Sequence, residues 1–180
     1  IPFANIATDP LAPANVFIVW DHFANGSSEV SFSASSNFGA AGSWSVPIAV
    51  NDVAMGDQFQ PRVSSTVWFA AEPDTTAVRV VWYDRRNDPS NLAIEVYSAL
   101  TFDGGQTWQG NQVWSDGPFD IPELCAIYEC DGLAACYMGD YIALASFYPH
   151  HSLFRAAWGD NRPPLASGPP CSGGPAQTLD

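Results

Sequence analysis

An apolar run that closes on Trp and Asp occurs three times in this chain, and no other feature limits the possible folds as strongly. The runs end at Trp20-Asp21, at Trp82 with Asp84 two residues on, and at Trp158 with Asp160 two residues on. Short runs rich in β-branched and aromatic residues are typical of strands buried on both faces. The three Trp residues stand 62 and 76 residues apart, and such a recurrence predicts a repeated β-sheet module.

Further strand patterns flank each run. Alternating apolar and polar residues follow the first two runs at 29–35 and 93–99, which predicts strands with one buried face. Short segments at 46–50 and 112–115 come next, and a strand-like segment precedes each of the three runs. Each repeat therefore has four predicted antiparallel strands. The fold class predicted from this pattern is all-β, a β-propeller built of four-stranded blades.

The boundaries follow from the same pattern. Propeller blades are predicted over residues 1–162, with blade 1 at about 3–51, blade 2 at about 58–116 and a half blade at 139–162. Residues 117–138 are predicted as a long loop that carries three cysteines, and 163–180 as a tail rich in Pro and Gly. About two and a half blades make an incomplete propeller, whose open sheet edges favour pairing with another chain.

The charge balance excludes several classes of partner. The chain has 19 acidic residues and only six basic ones, all of them Arg, so the formal net charge is -13. Such a surface repels phosphate backbones and anionic lipid, so nucleic-acid binding is not expected. No apolar run has the roughly 20 residues that a membrane helix needs. The chain begins at Ile1 rather than Met, which we interpret as a processed or truncated N-terminus.

The cysteines favour an oxidising compartment. Their spacing fits neither a zinc pair nor a haem attachment site, and an even number in an acidic chain without Lys is typical of disulfides. We therefore expect a secreted, periplasmic or extracellular protein. Three pairings remain open, and four buried free thiols are the alternative. The disulfide candidates are Cys125, Cys130, Cys136 and Cys171.

The segment from Thr101 to Trp108 predicts a self-bonded corner between two strands. Asp103-Gly104 is a strong hairpin-turn signal, and glycines there adopt positive φ without steric strain. The Asp103 carboxylate is expected to accept hydrogen bonds from turn amides two residues on. Trp108 then starts the next strand and buries its ring against a neighbouring sheet.

This corner resembles the Asp box of the sialidase superfamily, whose pattern is Ser/Thr-x-Asp-x-Gly-x-Thr-Trp. The intact copy comprises Thr101, Asp103, Gly105, Thr107 and Trp108. A degenerate copy with a two-residue insertion comprises Ser35, Asn37, Gly39, Ser43 and Trp44. The surrounding segments GDQFQPRV, VVWYDRRNDPSN and GDYIAL are similar to those of bacterial sialidase-like repeat proteins. The resemblance covers about residues 3–162 and implies six or seven blades, with further blades from another chain or from sequence outside this one.

The resemblance also implies where catalysis would be sought. Sialidases use three Arg on the substrate carboxylate, a Tyr-Glu nucleophile pair and an Asp acid/base, whereas this chain lacks the first Arg motif of the family. The catalytic candidates are Arg62, Arg85, Arg86, Asp140 and Tyr141, with Arg162 and Asp57 as further candidates. A surface salt-bridge cluster is the alternative for Arg85 and Arg86. Turn capping is the alternative for Asp57 and Asp140, and packing is the alternative for Tyr141.

Two functions of different classes result. The favoured one is a non-catalytic sialidase-like module that binds a glycan or protein partner, or builds an extracellular assembly. The alternative is a portion of an exo-α-sialidase or a related glycoside hydrolase. No cofactor is expected, and no metal, since His150 and His151 are adjacent and would point to opposite faces of a strand.

Overall fold

A computed structural model describes residues 4–69, 73–120, 142–147 and 153–160. These residues form eleven β-strands and, within the same ranges, no helix. All strand pairs are antiparallel. The prediction of an all-β fold of antiparallel sheets is thereby confirmed. The four cysteines, Asp140, Tyr141, Arg162 and the His150-His151 pair lie outside the described residues.

The first sheet is a four-stranded meander. Its strands, in chain order and in spatial order, are β1 (Ala4–Thr8), β2 (Val16–Ala24), β3 (Ser27–Ser35) and β4 (Ile48–Ala49). The β2–β3 hairpin turns over Asn25 and Gly26, whose φ angles are 53° and 96°. Two consecutive left-handed residues match the right-handed twist of the flanking strands, which is why Asn-Gly occurs at this turn.

The second sheet repeats this order and adds a fifth strand. Its strands are β5 (Gln58–Trp68), β6 (Thr75–Asp84), β7 (Ala93–Thr101), β8 (Gln112–Val113) and β9 (Phe119–Asp120). Both β8 and β9 pair with β7. The predicted loop at 117–138 therefore starts too early, because the short strand β9 lies within its first residues. Phe119 is buried in contact with Tyr83, and this burial holds β9 on the sheet.

A separate hairpin follows, made of β10 (Ala143–Phe147) and β11 (Leu153–Ala157). Its register matches the first strand pair of each sheet. Val16 pairs with Thr8, Val78 with Ser65 and Phe154 with Ser146. The residues of each such set are called equivalent below.

Two apolar seams join the three units. The first lies between the two sheets and contains Phe17, Val19, Val30, Phe32, Val63, Val78, Val80, Trp82, Tyr97 and Ala99. The second lies between the second sheet and the hairpin and contains Val81, Tyr83, Ile94, Val96, Phe119, Ile142 and Trp158. Because strand side chains alternate between faces, β6 supplies Val80 and Trp82 to one seam and Val81 and Tyr83 to the other. This explains why its sequence is apolar without interruption from Val80 to Tyr83.

Candidate functional site

A groove of about 790 Å³ lies where the first strands of the three units come side by side. Polar groups line much of it. They belong to Asn5, Thr8, Arg62, Ser64 and Ser65, and the remaining lining is mainly aliphatic. The groove is thus an open, largely polar surface on which several hydrogen-bond donors and acceptors converge.

Side-chain hydrogen bonds hold the three first strands together. The Ser65 hydroxyl donates to the Thr8 carbonyl at 2.5 Å, and the Ser146 hydroxyl donates to the Ser65 carbonyl at 2.8 Å. Each of these two bonds joins equivalent residues of successive units, so the same contact between first strands occurs twice. In addition, the Val63 amide donates to Asn5 Oδ1 at 2.9 Å.

A β-bulge in β5 sets the position of Arg62. The register with β6 shifts between Phe59 and Arg62, and Gln60 takes a left-handed φ of 51°. Left-handed backbone is unfavourable for a residue with a side chain, and Pro61 removes one ladder donor at the same point. The Gln60 amide donates instead to Asp21 Oδ2 at 3.2 Å, which ties the bulge to the first sheet.

Arg62 is the cationic group of the groove. Its Nη1 donates to the carbonyl of its neighbour Pro61 at 3.0 Å, and among the described residues it forms no ion pair. In each unit the equivalent residue differs, being Asn5 in the first sheet and Ala143 in the hairpin. A guanidinium without a carboxylate partner retains the planar pair of donors that binds a carboxylate.

Arg86, in contrast, is enclosed by partners. Its Nε and Nη2 donate to Asp84 Oδ2 at 2.9 and 2.7 Å, and its Nη1 donates to Asp52 Oδ1 at 2.5 Å. The guanidinium also lies 4.2 Å from the ring centre of Tyr97 and donates to Asn111. Burial by itself would lower the pKa of Arg86, but Asp84 and Asp52 outweigh it and hold that pKa above the ordinary value.

The carboxylate of Asp84 is buried, so this cluster is not the surface salt bridge considered from the sequence. Besides Arg86, it accepts the indole N–H of Trp82 at 2.7 Å. A buried charge of this kind is tolerated when its oxygens are hydrogen-bonded throughout. Asp84 and Arg86 therefore join β6 to the segments that hold Asp52 and Asn111.

Asp52 and Asn111 form a reciprocal pair across 59 residues of chain. The Asp52 amide donates to Asn111 Oδ1 at 2.9 Å, and the Asn111 amide donates to Asp52 Oδ2 at 3.1 Å. Burial opposes ionisation of Asp52, but the hydrogen bonds from Asn111 and Arg86 outweigh it and lower its pKa. The segment that connects β4 to β5 is thus hydrogen-bonded to the segment just before β8.

Arg85 has a different environment. Its guanidinium lies 5.0 Å from the ring centre of Phe59 and 3.5 Å from the carboxylate of Asp57. Burial lowers the pKa of Arg85, although Asp57 and Asp88 counteract this. Asp57 itself accepts the Ser28 amide at 2.9 Å and the Asn91 side-chain amide at 2.7 Å, so it caps two neighbouring turns.

Asp88 organises the loop that follows. The Ser90 hydroxyl donates to one of its carboxylate oxygens at 2.6 Å, and the Leu92 and Ala93 amides donate to the other at 2.7 Å. These donors, the Ser90 hydroxyl first, hold the pKa of Asp88 well below its usual range. The carboxylate is therefore engaged in closing the loop.

The corner from Thr101 to Trp108 is bonded to itself. The buried Thr101 hydroxyl accepts the Asp103 amide at 3.3 Å and the Gly105 amide at 3.1 Å, and it donates to Asp103 Oδ1 at 2.7 Å. Asp103 accepts the Thr107 amide at 2.9 and 3.0 Å and the Thr107 hydroxyl at 2.5 Å. The amide two residues after Asp103 thus bonds the Thr101 hydroxyl, and the prediction that Asp103 would accept it is wrong. Because Thr101 occupies the inside of the turn, the carboxylate points to Thr107.

The same corner packs against the first sheet. Gly105 has a φ of 93°, and a Cβ there would lie 2.2 Å from a ring carbon of Phe32. The Trp108 ring meets Phe32 edge to face, with ring centres 5.1 Å apart. Burial alone would raise the pKa of Asp103, but the hydrogen bonds from Thr107 and Thr101 lower it to about 2.

The degenerate corner reproduces this geometry without an acid. The Ser35 hydroxyl accepts the Asn37 amide at 3.2 Å and the Gly39 amide at 3.1 Å, as Thr101 does in the intact copy. The Ser43 hydroxyl lies 2.5 Å from the Ser35 hydroxyl. Trp44 donates its indole N–H to the Gly39 carbonyl at 3.2 Å.

Arg79 was not among the residues selected from the sequence. It lies between the rings of Trp114 and Phe154, at 4.9 and 5.3 Å from their centres, and its Nη1 donates to the Ser98 hydroxyl at 2.9 Å. Burial lowers its pKa. Its position inside the apolar run of β6 was the available signal, since a charged residue there must lie in a seam.

The described residues contain no group of three or more His, Cys, Asp or Glu that could hold a metal ion. Within the same part of the chain, no helix is long and apolar enough to span a membrane. The chain matches no protein-family model, no curated protein and no solved structure.

Proposed function

We propose that this chain forms successive blades of a sialidase-like β-propeller, a secreted and non-catalytic module that binds an acidic glycan. The architecture is supported by the two seams. In both seams, the same face of one unit packs on the opposite face of the next unit. In addition, the equivalent hydroxyls of Ser65 and Ser146 bridge neighbouring first strands. A rotation repeated about one axis is the defining property of a propeller.

The ligand is inferred from the groove, and Arg62 is the single observation that carries it. A guanidinium that forms no ion pair within the described part of the chain, and that lies among hydroxyl and amide groups, fits a sugar that bears a carboxylate. The carboxylate takes the two parallel donors, and the sugar hydroxyls take the remaining groups. The protein as a whole is acidic, so the long-range field opposes the approach of such a ligand. The recognition must therefore be local.

The arrangement of the other arginines favours binding over catalysis. Arg86 donates to Asp84 and Asp52, and Arg85 forms an ion pair with Asp57, so both guanidinium groups are paired within the protein. A glycoside hydrolase remains the second candidate, because Arg62 opens into the groove and Asp140 and Tyr141 directly precede the β10 segment that lines it. That function would need these two residues as acid and nucleophile.

The test is binding of a sialylated trisaccharide, with its neutral lactose core as the control ligand, measured by calorimetry. Arg62→Ala is expected to weaken binding about 10- to 100-fold, since a charge-assisted hydrogen bond contributes roughly 1.5–3 kcal/mol. Arg62→Lys should recover part of the loss, because it keeps the charge but not the fork.

The matched control is Arg155→Ala, which removes an exposed guanidinium that does not line the groove. Equal binding of sialylated and neutral sugars, or an Arg62→Ala variant that binds as the wild type does, would contradict the proposal. Release of a fluorophore from a sialoside, abolished by Tyr141→Phe, would instead establish the hydrolase.

A further inference from the structure

One face of the first sheet is open, although the equivalent face of the second sheet is covered. In the second sheet, Val63, Val80 and Trp82 are 5%, 0% and 0% exposed. Their equivalents in the first sheet are Ile6, Ile18 and Trp20. Ile6 is 60% exposed, and the other two are only half-buried. Apolar side chains are thus placed on this face as for a seam, but no described residue completes it.

The covering layer of the second sheet shows what such a face accepts. It is the opposite face of the first sheet, with Phe17, Val19 and Phe32 at its centre. The hairpin repeats the arrangement, since its Leu144 and Trp158 pack on the second sheet. The second sheet therefore presents one face to the unit before it and the other face to the unit after it.

The second face of the hairpin is likewise not covered by any residue that the structure describes. Ala143, Ala145 and Arg155 are exposed there. They are equivalent to Asn5, Ala7 and Phe17, which in the first sheet lie on the face that covers the second sheet. The two ends of the described chain thus carry the two complementary halves of one seam.

We propose that a second copy of this chain occupies these faces, so that the hairpin face of each copy docks on the open first-sheet face of the other. The inference rests on the proposed propeller, because it applies the same rotation once more. A head-to-tail contact made twice closes into a ring when the rotations complete a full turn. The open sheets are thereby covered without any new kind of contact.

Two specific contacts support a second copy as the occupant. Thr8 is the equivalent of Ser65 and Ser146, and it also carries a hydroxyl, which is exposed. In the closed ring it donates to the Ser146 carbonyl of the other copy, as Ser146 does to Ser65. This hydrogen bond requires a side-chain donor at position 8, and Thr8 provides one.

The second contact involves the corner loop. Within the chain, Phe17 lies over the corner of the second sheet, where a Cβ on Gly104 would be 3.9 Å from its ring. Arg155 is the equivalent of Phe17, and Phe38 holds the fourth position of the corner that starts at Ser35, as Gly104 does in the corner that starts at Thr101. Phe38 is 73% exposed. A guanidinium and an exposed aromatic ring form a cation–π pair across the predicted interface.

The experiment is sedimentation velocity of the chain over a range of concentrations. The expected species is a dimer of twice the 19.4 kDa chain mass. Ile6→Asp and Ala145→Asp each place a charge in one half of the interface, and each is expected to raise the dimer dissociation constant at least 10-fold. Phe23→Asp is the matched control, because Phe23 is 75% exposed near the β2–β3 turn and outside both faces.

A monomer at all concentrations, a mass that grows without limit, or equal weakening by Phe23→Asp would overturn the inference. Circular dichroism of each variant establishes that it remains folded. The two proposals can be contradicted separately. A monomer that binds the sialylated sugar would contradict only the proposed dimer. A dimer that does not bind this sugar would contradict only the proposed ligand.

Discussion

The two corner loops share the backbone geometry of their first five residues and differ in chemistry. In the second sheet, Asp103 gathers three hydrogen bonds from Thr107, whereas in the first sheet Ser43 and Ser35 bond each other and Asn37 replaces the acid. In both loops, a hydroxyl at the first position accepts two amides and a glycine at the fifth has positive φ. The hydroxyl and the glycine thus define the corner, and the carboxylate strengthens one copy of it.

The largest difference between the corners is expected at their glycines. Gly105→Ala should lower the free energy of unfolding by about 3 kcal/mol, since left-handed strain adds to overpacking against the buried Phe32. Gly39→Ala should lower it by about 1 kcal/mol, because its Cβ would be 3.2 Å from the edge of the Trp44 ring. Urea unfolding of the two variants measures both values. Equal losses would mean that the seam yields to the added methyl group.

The next effect concerns the hydroxyls. Thr101→Ala is expected to lower the free energy of unfolding by about 2 kcal/mol, because the buried Gly105 amide loses its acceptor. For Ser35→Ala we expect about 1 kcal/mol, since the loop around it is more exposed and water can replace the hydroxyl. Thr101→Ser keeps the hydrogen bonds and serves as the control in the same urea series. A larger loss for Ser35→Ala would reverse the comparison.

The smallest effect is the pH dependence that only the Asp103 corner has. Its pKa is lowered from 3.8 to about 2, so its contribution is present above about pH 4 and is lost as the pH falls toward 2. The group is exposed, so after solvent screening we expect below about 1 kcal/mol. The difference in unfolding free energy between wild type and Asp103→Asn should therefore shrink between pH 4 and pH 2. A difference that stays constant over this range would exclude the carboxylate as its source.

Much of the fold could be predicted because the repeats are local patterns. The apolar runs that end at Trp20 and Trp82 became the second strands of two sheets, and the alternating segments after them became the third strands. The strand at Phe119 was missed, since two residues are too few to show alternation. Its stability comes from the contact with Tyr83, which is a tertiary interaction.

The candidate site was less predictable than the fold, because it too depends on tertiary contacts. The sequence identified Arg62, Arg85 and Arg86 as candidates but could not distinguish them, because their partners come from distant segments. Asn111 and Asp52 meet Arg86 only after the two sheets have packed. The bulge before Arg62 had a local signal in Pro61, which is unusual inside a strand. Pro61 indicates that the strand is irregular at this point, but it does not show where the Arg62 side chain will point.

The Arg86 cluster also determines how this molecule can open. Releasing the chain between β4 and β5 breaks the bonds of Asp52 to both Arg86 and Asn111, and leaves the buried Asp84 with a loosened counter-charge. Because partial opening of either sheet would disrupt these shared contacts, we expect the two sheets to unfold as one cooperative unit. Their slowest backbone amides should accordingly exchange with solvent deuterium at a common rate, although each sheet has its own hydrogen-bonded ladder.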